Sequence, residues 1–248
     1  MAQAKLLFHG HLQSLLPAAK RGKALAYSTQ RRASVKDVIE ALGPPHTEVG
    51  HLALDGKPVD FNTQLASGQT LEIFPVPVPW DVTRTTLLRL DPLPRLAFLV
   101  DENVHRLAKL LRMIGQDATD CRGLSDAAIA VRAGEEKRVL LSRDRRLLKR
   151  GSVDFGRLVQ AHHPWDQLRE IMHLFGLWPR VRPFSRCIHC NQPLEPRAKS
   201  DIEDRLEPLT RRYFQIFHEC PECRRIYWAG SHHQQMLEHL RKLKDSVP

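Results

Sequence analysis

Two pairs of cysteines, Cys187 with Cys190 and Cys220 with Cys223, constrain this chain more than any other feature. Cysteines separated by two residues on a tight turn point both thiolates at one ion, and two such turns supply the four ligands of tetrahedral zinc. The spacing predicts a closed structural zinc centre. The alternative is a pair of disulfides, which needs an oxidising compartment. The N-terminus carries Lys5 and no long apolar run before a small-residue cleavage site, so it does not read as a signal peptide. No stretch approaches the ~20 apolar residues of a spanning helix. A reducing, cytoplasmic setting without membrane contact is therefore expected, where thiolates so spaced bind metal.

Charge narrows the partner. The 248 residues carry a formal net charge of +10, and the sequence pI is about 9.7. Such an excess of Lys and Arg favours a polyanion, because neutralising phosphates releases their counterions. The plainer reading of the charge is solubility alone.

Punctuation divides the chain into residues 1–78, a linker at 79–94, residues 95–180 and residues 181–248. In the first segment, residues 5–9, 25–28, 49–54 and 70–74 read as strands. A helix at 34–42 has Ser34 as N-cap and Val35, Val38, Ile39 and Leu42 on one face. Gly43, Pro44 and Pro45 stop it, and Asp55 and Gly56 form a hairpin turn. This order resembles the β-grasp of ubiquitin and the small sulfur-carrier proteins. Those carriers end in an exposed Gly-Gly, whereas here the last strand runs into Pro75, Val76, Pro77, Val78, Pro79 and Trp80. A binding or positioning role, with a protein partner, replaces carrier chemistry. The proline run itself reads as a stiff linker.

The second segment alternates strand and helix. Strands are expected at 95–100, 117–121, 138–142 and 157–161. Helices follow with Val104, Leu107, Ala108, Leu110, Leu111 and Ile114 on one face, then behind Ser125 or Asp126, over 144–149, and from Pro164. The alternation predicts an α/β unit with a parallel sheet covered on both sides. Active sites of such sheets gather outside the carboxyl ends of the strands. Asp101 and Asp144 each follow an apolar strand, and Asp126 heads the helix between them. Three carboxylates converging there call for cations, and hard oxygen ligands favour Mg²⁺ or Mn²⁺. The implied chemistry is metal-dependent phosphodiester hydrolysis. Each aspartate also stands where a helix wants an N-cap, which is the non-catalytic alternative.

The run Phe98, Leu99, Val100, Asp101, Glu102, Asn103 and Val104, with Leu107, Leu111, Gly115 and Asp117, is followed by Leu124 to Ile129 and by Val139 to Asp144. Together these resemble a PIN-like nuclease, and more narrowly the RNase domain first described at the C-terminus of the mut-7 exonuclease family. The zinc region is similar to that family's ribbon, through Arg186, Cys187, Cys190, Asn191 and Leu194, then Cys220 to Cys223, and Tyr227 to His232 with Met236. Prokaryotic members often carry a ubiquitin-like domain in front. The resemblance implies a ribonuclease with RNA as partner, and it maps the acidic metal-binding positions onto Asp101, Asp126 and Asp144. Ser142 takes the place of the hydroxyl residue before the last aspartate. PIN nucleases usually have a fourth acidic residue; Asp154 is the candidate, with Glu102 and Asp120 as alternatives, while Glu135 and Glu136 read as a solvated helix end.

Substrate contacts are expected from Ser142, Arg143, Arg145, Arg146, Lys149 and His232. The basic run through Arg150 is otherwise an ordinary solvated helix face. His189 and His218 lie in or near the knuckles but are not needed as ligands beside four thiolates. Trp228 is a buried ribbon aromatic or a stacking surface for a base. Cys121 reads as a small core residue and His105 as a surface one. The rival function is a non-catalytic nucleic-acid-binding or adaptor protein that keeps the fold.

Overall fold

The computed structural model describes residues 3–30 and 32–245. Its first unit comprises β1 (Gln3–Phe8), α1 (Leu12–Leu15), β2 (Leu25–Ser28), α2 (Val35–Leu42), β3 (Val49–Leu54), β4 (Lys57–Pro58) and β5 (Thr70–Pro75). They form a mixed sheet in the order β2-β1-β5-β3-β4, with β1 and β5 parallel. Helix α2 starts where Ser34 Oγ accepts from the Asp37 amide at 3.1 Å, and it buries Val35, Val38 and Ile39 against the sheet. Gly43 ends it at φ 127°, where a Cβ would stand 2.6 Å from the Leu15 carbonyl oxygen. Only a residue without a side chain fits there.

The second unit alternates β6 (Phe98–Val100), α3 (His105–Met113), β7 (Ala118–Asp120), α4 (Asp126–Glu135), β8 (Val139–Ser142), α5 (Arg145–Leu148), β9 (Gly156–Leu158) and α6 (Pro164–Leu174). Its four strands are parallel in the order β7-β6-β8-β9. Strand alternation divides the core between the two faces. Phe98, Val100, Val139 and Leu141 pack with α3 and α6, while Leu99 and Leu140 pack with α4, α5 and the first unit. The strands are shorter than the apolar runs suggest, because residues 95–97 and 159–161 lie outside the ladder.

The third unit holds β10 (Glu195–Arg197), α7 (Pro208–Tyr213), β11 (Phe217–Glu219), β12 (Ile226–Tyr227) and α8 (Ser231–Asp245). The three strands make an antiparallel sheet. Its own apolar core is small, with Ile202, Leu206 and Phe217 buried. Helix α8 instead sets Leu240 and Leu243 into the core of the second unit, and its His239 stacks on Trp165 at 5.0 Å between ring centroids.

The segment expected as a linker is part of the core. Val76, Trp80, Val82 and Leu93 are buried, and Trp80 lies between Phe155 and Phe175 with centroids 6.0 and 5.6 Å away. The prolines stiffen the path, but Trp80 is too large and apolar to leave in solvent. Arg89 reinforces this packing. Its guanidinium donates to the carbonyls of Thr47, Val49 and Asp154 at 2.9 to 3.0 Å, so one side chain ties the first unit to the second. No helix among the described residues is long and apolar enough to cross a membrane.

Candidate active site and metal centre

Parallel strands β6 and β8 lie side by side, so their C-terminal residues deliver side chains to one edge. Asp101 follows β6 and is 7% exposed. Its Oδ1 accepts from the Glu102 amide, and its Oδ2 accepts from Ser142 Oγ and Asn103 Nδ2, each at 2.6 Å. Ser142, the fully buried last residue of β8, accepts in turn from the Asp144 amide at 2.9 Å. Asp144 caps α5, with Oδ1 accepting from the Arg146 amide at 2.6 Å. Asn103 closes the lattice, its Oδ1 accepting from the Arg143 amide at 3.1 Å. One buried hydroxyl and one amide side chain thus hold Asp101 and Asp144 in fixed relation.

Asp126 is the first residue of α4, at the same edge. Ser125 is the N-cap, its Oγ accepting from the Ala128 amide at 3.3 Å. The Asp126 carboxylate is exposed and, among the described residues, makes no hydrogen bond or ion pair.

Charge balance separates Asp101 from the other buried carboxylates among the described residues, Glu48, Asp117 and Glu219. Asp117 is paired with Arg138 and Arg95, Glu48 and Glu170 with Arg157, and Glu219 with Arg197, Arg205 and Arg224. Among the described residues, Asp101, Asp126, Asp144 and Glu102 have no such partner. In a chain with ten more positive than negative charges, a buried aspartate satisfied only by neutral donors is unusual.

Asp154 does not join this group. It precedes β9 and so lies at the amino end of the sheet, in a cleft with Asp91, Lys137 and Arg138 beside the C-terminal end of α4. Helix α4 alone, at 1.5 Å per residue, separates that end from Asp126 by about 15 Å. Closeness in sequence to Asp144 is misleading because α5 intervenes and the chain crosses the sheet before β9 begins. The alternatives, Glu102 and Asp120, both lie at the carboxyl end. Burial acts to raise the Asp120 pKa, yet Arg122 and Arg112 hold it below the ordinary carboxylate range. Glu102 is exposed, and among the described residues its carboxylate accepts one hydrogen bond, from the Gly123 amide at 3.5 Å.

The four cysteines form the metal centre. Their sulfurs all lie within 4.8 Å of one another, with Cys187 and Cys223 Sγ 3.6 Å apart. That is the spacing of thiolates around one tetrahedral ion with bonds of about 2.3 Å, and far beyond a disulfide bond. Among the described residues this is the one group of three or more Cys, His, Asp or Glu side chains close enough to share an ion, so neither His189 nor His218 belongs to it. The knuckle is fastened to the edge strand β7. Asn191 donates to Asp117 at 2.7 Å and accepts from the Ala118 amide at 3.1 Å, while Arg112 donates to the carbonyls of Ile188 and His189.

A family model described as the Mut7-C RNAse domain matches residues 96–240, more than half of the chain, and a second, the Mut7-C ubiquitin model, matches residues 1–81. The chain belongs to the Mut7-C RNase domain family. The Mut7-C match spans both the carboxylate edge and the four cysteines, and the first unit is its ubiquitin-like domain. No curated protein and no solved structure matches the chain.

The basic residues of this Mut7-C chain divide. Arg145 donates to the Leu15 carbonyl at 2.9 Å and Lys149 to the Glu40 carbonyl at 2.5 Å, so both face the ubiquitin-like domain instead of an open groove. Arg143 turns to the Ala161 carbonyl and the His162 ring. Arg146 and His232 are exposed, and neither side chain makes a hydrogen bond among the described residues. Trp228 is 38% exposed against Phe217, so it is not a buried ribbon aromatic. Cys121 is a core residue; its Sγ meets the Val100 carbonyl at 3.1 Å, and burial, with Asp101 nearby, pushes the thiol up to about 12. Asn103, Asn191 and Arg112 carry functions that residue type alone did not reveal. Their signal is position: one follows the strand-end aspartate by two, one follows a knuckle, and one is an arginine on the buried face of a helix.

Proposed function

We propose that the chain is a metal-dependent ribonuclease that hydrolyses RNA phosphodiester bonds at the carboxyl edge of its parallel sheet. The observation that carries this reading is Asp101: buried, held by three neutral donors, paired with no cation among the described residues, and linked through Ser142 to Asp144. Asp101, Asp126 and Asp144 would hold Mg²⁺ or Mn²⁺, for which an all-oxygen donor set is suited. The three carboxylates do not close around a point as the cysteines do. That also fits Mg²⁺, which keeps several waters and takes one or two carboxylates together with substrate phosphate. Bound there, such ions lower the pKa of an attacking water and stabilise charge on the phosphate.

The remaining work falls to the chain. Ser142 and Asn103 fix the Asp101 carboxylate, and the amides at the start of α5 fix Asp144, so neither needs to reorganise when substrate arrives. Glu102 is the better candidate for the fourth acid, because Asp154 stands at the opposite edge and Asp120 is committed to two arginines. The zinc centre has four thiolates and no open position for water, so it holds the ribbon and takes no part in hydrolysis.

Cleavage of defined RNAs with Mg²⁺ or Mn²⁺ tests the reading. Asp101→Asn and Asp144→Asn are expected to abolish cleavage while leaving RNA affinity intact, and a chelator to stop the parent protein. Equal trace cleavage by variants and parent would mark a contaminant and leave only a binding function.

A further inference from the structure

Residues 182–185 strap the ribbon to the second unit. The amides of Arg182 and Phe184 donate to the Ile114 and Met113 carbonyls at the C-terminal end of α3, each at 2.9 Å. Between this strap and the ribbon sheet lies an open cleft of about 520 Å³, within the range of about 300 to 1,000 Å³ usual for ligand sites. Its walls are aromatic. Phe184 and His233, with ring centroids 4.3 Å apart, come from the strap and α8, while Tyr227 and Trp228 come from β12 and the turn after it. Two contacts fix the ribbon rings. The Tyr227 hydroxyl lies 3.1 Å from Cys187 Sγ, which ties that ring to the metal centre. The Trp228 indole lies over Gly230, where a Cβ would stand 2.7 Å from Nε1, so only a residue without a side chain leaves it room. Although braced in this way, the indole is 38% exposed, and its N–H makes no hydrogen bond among the described residues. Ile216, also on the cleft, is 76% exposed.

Charge selects what would cover these rings. Among the described residues no Asp or Glu lines the cleft, whereas Arg182, His218 and His233 do, in a chain with ten more positive than negative charges. Arg182 is exposed, and its Nη1 donates to the Pro179 and Val181 carbonyls at 3.2 and 2.9 Å instead of to a carboxylate. An aromatic cleft bordered by a cation and free of carboxylates complements a ligand that is flat and apolar in one part and anionic in the next. A nucleotide has that form: every base offers a π-face to an aromatic ring, and its phosphate suits a guanidinium.

We propose that the cleft holds an unpaired base of single-stranded RNA, stacked on Trp228, with Arg182 beside the adjoining phosphate. The inference rests on the reading of the carboxylate edge as a ribonuclease centre and deepens it, because it adds a second place where substrate is held. Asp101 lies just before α3 and the cleft lies at that helix's far end, so its nine residues, at 1.5 Å each, separate the two by about 13 Å along the axis. A strand that occupies both must therefore extend well beyond the bond being cut. Stacking is tolerant of base identity, so the cleft favours unpaired RNA over paired without reading its sequence.

The probe is a single-stranded oligoribonucleotide carrying 2-aminopurine, whose fluorescence is quenched when it stacks. It is titrated with the zinc-loaded full chain bearing Asp101→Asn, so that it survives, and binding should quench it. Adding Trp228→Ala should abolish the quench and weaken affinity about 5- to 150-fold, the span for one base stacked on an aromatic ring. Trp228→Phe should restore most of both. Ile216→Glu, at a side chain too exposed to carry the fold, puts a carboxylate in the cleft and should weaken affinity as well. The control, Leu90→Glu, adds the same charge at a side chain 74% exposed outside the cleft and should leave affinity as it was. Zinc content and thermal midpoint are read for each variant, and where Trp228→Ala loses zinc, Ile216→Glu decides. Unchanged RNA affinity in either cleft variant overturns the proposal and leaves the cleft to an apolar protein segment. An equal loss in the control overturns it too. Cleavage is scored separately with Asp101→Asn alone, so an Asp101 that proves dispensable counts against the catalytic centre, and a bound probe that stays unquenched counts against the cleft.

Discussion

Ser142 Oγ donates to Asp101 Oδ2 at 2.6 Å, joining the ends of two adjacent parallel strands through one fully buried hydroxyl. Asp101 leaves β6 into a turn, Ser142 ends β8, and the same oxygen accepts from the Asp144 amide. The bond therefore sets where two of the three proposed metal carboxylates stand.

Ser142→Ala removes that link and little volume. Asn103 Nδ2 and the Glu102 amide still satisfy Asp101, so the chain stays folded, with a stability loss of about 1 to 3 kcal/mol for a buried bond to a charged group. Activity should fall more than stability suggests, by about 10- to 100-fold, as when a group that orients a metal ligand is lost. Metal titration of the cleavage rate checks this: the half-saturating Mg²⁺ or Mn²⁺ concentration should rise. An unchanged metal requirement would assign Ser142 to packing alone.

The ribbon should depend on the ion that its four cysteines are placed to hold. Ile202, Leu206 and Phe217 are too small a core to order the unit, and Cys220 is fully buried. Structural zinc contributes on the order of 10 kcal/mol to such modules. Cys220→Ser, or strong chelation, should release zinc and expose residues in the ribbon to protease, while the parallel sheet of the second unit keeps its far-UV signal. Zinc content per chain and mass-mapped proteolysis read the two effects. A ribbon equally protected with and without metal would contradict the assignment.

The regions legible in the sequence are those whose cause is local. Ser34 caps α2 because a hydroxyl three residues before Asp37 reaches its amide, and four cysteines meet because each pair sits on one turn. Asp101 and Asp144 were recognisable as strand-end residues, since an apolar run followed by an acid reads the same in any parallel sheet. What stayed hidden depends on the third dimension. Asp154 is ten residues past Asp144, and nothing in that spacing says that the chain has crossed to the other edge. Trp80 lies among prolines, and its place between Phe155 and Phe175 follows only from the packed fold. Asn103 could be read as a cap; its bond to Ser142, 39 positions away, could not.

Arg145 and Lys149 are interdomain anchors. Each donates to a carbonyl of the ubiquitin-like domain, so Arg145→Ala and Lys149→Ala should lower the thermal midpoint, at about 0.5 to 1.5 kcal/mol per lost bond. They should leave the salt dependence of RNA affinity as it was. A flattened salt slope would return them to the role of phosphate contacts.

The junction also sets an acid limit on stability. Glu48, fully buried on the ubiquitin-like domain, stands 2.5 Å from Arg157 Nη1, accepts from the Leu158 amide at 2.7 Å, and lies 2.8 Å from His11 Nε2. Arg157 is held in turn by Glu170. Burial by itself would raise the Glu48 pKa, but Arg157, His11 and the Leu158 amide bring it below its ordinary 4.5. A carboxylate whose folded pKa is depressed contributes stability that is complete above its unfolded value and is lost as pH falls through the folded one. Acid should therefore loosen the junction below about pH 4.5, where an unfolded glutamate takes up its proton. Glu48→Gln removes one of the two carboxylates that hold Arg157, while Glu170 keeps the guanidinium paired, and should cost about 1 to 3 kcal/mol at neutral pH, the range for a lost hydrogen bond to a charged group. Its stability should also fall less steeply between neutral pH and acid than that of the parent. Denaturant midpoints across that range read both effects, and parallel pH curves for parent and variant would remove Glu48 as the source of the acid limit.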